Sequence, residues 1–145
     1  MISAVARRSG TALYPLHPLH AFFLAGMMPL YIGVVLSDYA YWSSYVLQWK
    51  NFASWLLIGA LIFNGLALLG SVISLVRKDE RMGKPLIYFL LLLATFVLGV
   101  INSFIHAKDA WASMPSGLIL SVITVILACA ATWIGLASWR SRGVR

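Results

Sequence analysis

Three histidines and four carboxylates carry most of the chain's chemical versatility, and their placement is uneven. His17 and His20 stand three residues apart, just ahead of a long apolar run. Asp38 follows that run. His106 and Asp109, again three apart, follow another, and Asn64 and Asn102 lie inside apolar runs. Imidazoles on facing helices at one depth are the usual holders of b-type haem. One histidine with two carboxylates (His106, Asp109 and Asp38) has the composition of a facial-triad metal site. Asparagines inside apolar helices either bond a neighbouring helix or line a polar path.

The elements that must position these groups follow from composition. Of 145 residues, 61% are hydrophobic and 10% charged, against about 25% charged in a soluble domain. That excludes a disordered chain, a collagen and a disulfide scaffold, and points to an integral membrane protein. A span needs about 20 apolar residues. Four segments qualify, at about 19–36, 53–76, 85–105 and 117–136, and none contains Lys, Arg, Asp or Glu. The connections expected between them are 37–52, 77–84 and 106–116, with Pro85 and Pro115 suited to open helices. Short links favour an all-α, up-down-up-down four-helix bundle forming a single four-span domain over residues 1–145. No small-residue cleavage site follows the first span, so it is expected to be retained. The single cysteine, Cys129, is expected to be a small buried hydrophobe.

The net charge of +7 would suggest nucleic acid in a soluble protein, but here the cations cluster in short loops and tails. Arg7, Arg8, Arg77, Lys78, Arg81, Lys84, Arg140, Arg142 and Arg145 fall on one side, and Lys50 and Lys108 on the other. The positive-inside rule then puts both termini in the cytoplasm. Trp42, Trp49, Trp55 and Trp111 fall near the outer interface and Trp133 and Trp139 near the inner one, as an aromatic belt requires. The partner this implies is the lipid bilayer, not nucleic acid.

Helices in lipid associate through small residues and interhelical hydrogen bonds. The fourth span carries Gly117, Ser121, Thr124, Ala128, Ala131 and Gly135 in steps of four and three, which keeps them on one face. The second carries Ala60, Asn64, Ala67, Ser71 and Ser74, and the third Thr95, Gly99, Asn102 and His106. These stripes are expected to face one another, with Asn64 and Asn102 either packing or lining a small polar cavity. On the first span His20, Met27, Tyr31 and Asp38 share an azimuth to within about 20°. His20 and Asp38 then sit at opposite interfaces, where a capping or snorkelling role suits them.

The segment His17-Pro18-Leu19-His20 before an apolar span resembles a bacterial family of small four-span membrane proteins of unknown function. Asp38, the run from Asn102 to Trp111, the run from Pro115 to Ser121, Trp133, Gly135 and Arg142-Gly143-Val144 extend that resemblance over about residues 14 to 145. Ala21 departs from it, standing where the family usually repeats a proline. The resemblance implies the four-span fold and brings no established activity.

Weighed together, these signals favour a non-enzymatic inner-membrane protein. There is no Gly-rich phosphate loop, zinc-protease helix motif, cysteine pair or nucleophile elbow. Its role would be that of an accessory or scaffold subunit, with the fourth span's stripe exposed for a partner helix or a second copy. One alternative is a redox-associated protein holding haem b. In that case His17 or His20 serves an inner site, with Met82 or a second subunit completing it, and His106 an outer one. His20 and His106 stand about 25–30 Å apart along the normal and cannot share one haem. A further alternative is a small-solute or ion pathway along Asn64, Thr95 and Asn102. No metal site is assigned, because a His–Asp hydrogen bond between helix ends is the simpler reading of His106, Asp109 and Asp38.

Overall fold

The computed structural model describes residues 18–76 and 84–140, with side chains from 86 to 137 in the second stretch. His17, Met82 and the cations Arg7, Arg8, Arg77, Lys78, Arg81, Arg142 and Arg145 lie outside the described residues. The described chain forms four long helices, α1 (Pro18–Ser44), α2 (Leu47–Val76), α3 (Lys84–His106) and α4 (Ser116–Arg140), with one 3-10 turn at Trp111–Ser113. Each is long and apolar enough to cross a membrane. At about 1.5 Å per residue, the 23 residues of α3 already exceed a hydrocarbon core of about 30 Å.

Pro85, the second residue of α3, and Pro115, just before α4, stand at helix starts as expected. Pro18 is the first residue of α1, where its missing N–H costs nothing. Pro115 precedes α4, and its carbonyl accepts the Ile119 N–H at 3.1 Å. Pro29 lies inside α1 on an exposed face, away from the packed side.

The first connection corrects the expectation. The segment 37–52 is helical except for Tyr45 and Val46. It holds no Gly or Pro to stop a helix, and its serines bond back to backbone carbonyls. Ser37 donates to Gly33 O at 2.7 Å and Ser44 to Ala40 O at 2.6 Å. The chain reverses at Tyr45, whose φ of 55° lies in the left-handed region, sparsely used by residues other than glycine. The Tyr45 N–H returns to Tyr41 O at 2.7 Å, and the Tyr45 ring stacks on Trp111 with centroids 5.1 Å apart. Asp38 therefore lies two turns inside α1 and does not close it.

The helices pack as a bundle in which α1 and α3 each lie against both α2 and α4. His20, near the start of α1, meets Gly70 near the end of α2 and Tyr88 near the start of α3. Asp38, in the later part of α1, meets His106 at the end of α3 and Ser121 near the start of α4. Neighbouring helices thus run in opposite directions. Leu24, Met27 and Leu92 are fully buried and cluster with Ala67, Ala128 and Ala131.

The small-residue face of α4 is turned inward, with all six of its residues buried. The expectation that it stands exposed for a partner is corrected, because α1 and α3 already occupy it. A β-carbon at Gly135 would stand 2.7 Å from Leu24 Cδ1 and 3.1 Å from Tyr88 Cε2. Two smaller expectations also fail. Ser74 is exposed near the end of α2, and Cys129 is exposed, because Ala128 takes the inward position beside it. The outward faces carry large apolar side chains such as Ile126, Trp55 and Trp133, which suits contact with lipid tails.

Candidate functional site

A polar cluster sits inside the bundle at the His106 end, and it grows outward from one carboxylate. Asp38 has no exposed surface. His106 Nε2 is 2.7 Å from its Oδ1, and Ser121 Oγ donates to its Oδ2 at 2.6 Å. Asn102 Nδ2 donates in turn to Ser121 Oγ at 2.8 Å. The imidazole folds back on its own helix, with Nδ1 3.0 Å from Asn102 O. The absence of a side chain at Gly117 gives the ring its place on α4, since a β-carbon there would stand 3.3 Å from His106 Cε1. One residue from α1, two from α3 and one from α4 therefore close around a buried ion-pair position.

Counting protons defines what this cluster can do. A carbonyl only accepts, so Nδ1 carries a hydrogen for Asn102 O. One further proton lies between Nε2 and Asp38 Oδ1. On nitrogen it makes an imidazolium–carboxylate pair, and on oxygen an imidazole–carboxylic acid pair. Both forms have zero net charge. Gaining or losing a proton leaves a net charge in a low-dielectric interior, where it is costly.

The cluster contains Ser, His and Asp but not in the order that activates a nucleophile. The serine donates its hydrogen bond to the carboxylate, and the two ring nitrogens of the histidine bond Asp38 and Asn102 O, not the serine. A general base adjacent to the hydroxyl is what that chemistry needs. Nor is a facial triad assembled. Asp109 is exposed and takes no part, and among the described residues no three His, Cys, Asp or Glu side chains come together.

Two further polar contacts lie elsewhere in the core. His20 Nε2 is 2.7 Å from the Tyr88 hydroxyl at the opposite end, with the rings edge to face. Between the two ends, Asn64 Nδ2 donates to the Tyr31 hydroxyl at 3.2 Å. Of the nominated residues, Asp38, Asn102 and His106 come together, joined by Ser121 from the small-residue face. His20 and Asn64 each stand apart from them. His20 and Asp38 are both buried against neighbouring helices. Tyr88 is the partner that sequence reading missed. The buried face of α3 continues from Thr95 back through Leu92 in steps of three and four, and that extension reaches position 88.

The haem reading needs an imidazole nitrogen turned to an open slot, with a second ligand at the same depth. His106 has both ring nitrogens on protein oxygens, and His20 has Nε2 on Tyr88. As packed, these residues do not fit a haem.

Comparison with known proteins places this architecture. A family model described as "Predicted membrane protein (DUF2231)" matches residues 15–145. No curated protein and no solved structure matches. Four membrane-length helices and a match over nearly the whole chain agree: the chain belongs to the DUF2231 family of predicted membrane proteins and is a multi-pass membrane protein.

Proposed function

We propose that the protein is a non-enzymatic subunit of a bacterial cytoplasmic membrane, with both termini in the cytoplasm. Its working centre is the Asp38–His106 pair, which exchanges a proton with the periplasmic side. The observation that carries this reading is the complete burial of Asp38 with both oxygens held by side chains of two other helices. Ionisable groups inside a membrane bundle are costly, and where they occur they mark proton relays and ion pathways. A strut alone has a cheaper solution, which the protein already uses where Asn64 bonds Tyr31 across α2 and α1 without a carboxylate or an imidazole. The side assignment rests on the lysine and arginine distribution, which puts Lys50 and Lys108 at the His106 end. Lys50 Nζ donates there to Lys108 O at 2.7 Å.

The test is infrared difference spectroscopy of the protein in liposomes while the external pH is stepped. A carboxylic C=O band that responds to the external step, and is lost in Asp38→Asn, is the expected result. If no such band responds, and Asp38→Asn only lowers stability, proton exchange is overturned. The cluster is then a latch and the protein a scaffold subunit.

A further inference from the structure

Two buried amides, Asn64 midway along the bundle and Asn102 nearer the His106 end, each enter the core with an oxygen unused. Asn64 and Asn102 have no exposed surface. Each donates through Nδ2, to Tyr31 and to Ser121, but neither Oδ1 accepts a hydrogen bond from any described residue. Native proteins leave few buried polar atoms in that condition, and bound water is the commonest remedy. Flipping the Asn64 amide would let Tyr31 donate to it but would strand its NH2 group, so the demand remains.

Tyr31, bonded to Asn64, reaches α3 on the face that carries Asn102. Its hydroxyl lies over Gly99, 2.9 Å from where a β-carbon would stand. Asn102 follows on the same side of α3, three residues and about 4.5 Å of rise farther on. Tyr31 accepts from Asn64, and its own hydroxyl hydrogen is left to give. The inventory is therefore one donor and two acceptors. A water accepts one hydrogen bond and donates two, and about three is the usual number for a buried water.

We propose that an internal water is bound between the Tyr31 hydroxyl and the side-chain oxygens of Asn64 and Asn102. It completes a hydrogen-bonded network through all four helices, from Asn64 on α2 to Tyr31 and Asp38 on α1, Asn102 and His106 on α3, and Ser121 on α4. The proton content of the Asp38–His106 pair is thereby felt at Tyr31. This last step rests on the proton-exchange reading, whereas the water does not.

The test uses the full chain in lipid nanodiscs with radiolytic hydroxyl labelling read by mass spectrometry, which marks side chains next to bound water even when bulk solvent does not reach them. Tyr31 is expected to be labelled in the wild type. It should lose that labelling in Asn64→Leu/Asn102→Leu, with the helical circular dichroism kept and Tyr88 labelling unchanged. An unlabelled Tyr31 in the wild type, or labelling that survives the double substitution, overturns the water. Where the double variant does not fold, single Asn64→Leu must show a partial loss, and unchanged labelling overturns the water equally. The tyrosine C–OH infrared band, assigned by its absence in Tyr31→Phe, reads the coupling. It should shift in Asp38→Asn, and an unshifted band overturns the coupling while leaving the water in place.

Discussion

Asp38 joins α1 to two other helices through both of its oxygens, whereas His20 joins α1 to α3 through one contact with a phenol. The energetic consequences should differ accordingly. Removing one member of a buried pair strands the other and costs about 3–5 kcal/mol. Losing one ordinary hydrogen bond costs roughly 0.5–1.5 kcal/mol. His106→Ala should therefore destabilise the protein several-fold more than Tyr88→Phe, as read by equilibrium unfolding in mixed micelles. Equal losses would mean that the Asp38 pair holds no special place. Asp38, Asn102 and His106 were legible as candidates because their types are rare in apolar runs. Their assembly was not legible, since Asp38 and His106 are 68 residues apart in sequence and meet only through the packing of whole helices. Tyr88 escaped notice because a phenol at a helix end reads equally well as an interfacial anchor.

At the scale of the helix, the faces were more legible than the ends. Steps of three and four between small residues select one side of α4, and that is the side buried against α1 and α3. Ala128 has no exposed surface and Ile126 is 61% exposed on the same helix. Ala128→Trp should cost about 3 kcal/mol or more through overpacking, and Ile126→Trp should be close to silent. Thermal unfolding in detergent and in bilayers compares them directly, and a silent Ala128→Trp would contradict the tight inward face. The end of the first helix was misread because an aspartate and several serines look like a loop. In the structure Asp38 is satisfied by His106 and Ser121 of other helices, Ser37 and Ser44 bond backbone carbonyls, and the helix runs on to Ser44.

For the whole molecule, the basic balance fixes the expected sidedness. Cytoplasmic-side reporters fused at both termini should be active, and periplasmic-side reporters at the same places silent. Opposite signals from the two termini would require an odd number of spans, and the four-helix arrangement would have to be revised. The bundle as a class was readable from hydropathy alone, because lipid admits few alternatives to packed helices. Which polar groups close on which was decided by the ring order of the helices, and composition does not encode that order.

The two-residue reversal at Tyr45–Val46 restricts how such a bundle can respond to a proton. With the Tyr45 N–H tied to Tyr41, the Trp49 N–H to Val46, and the Tyr45 ring laid on Trp111, the link has no loose residue to let out. Neither α1 nor α2 can travel along its own axis without dragging the other the same way. On the proton-exchange reading, a change of charge at Asp38 is therefore expected to roll or tilt this hairpin as one unit, not to drive a piston stroke of a single helix.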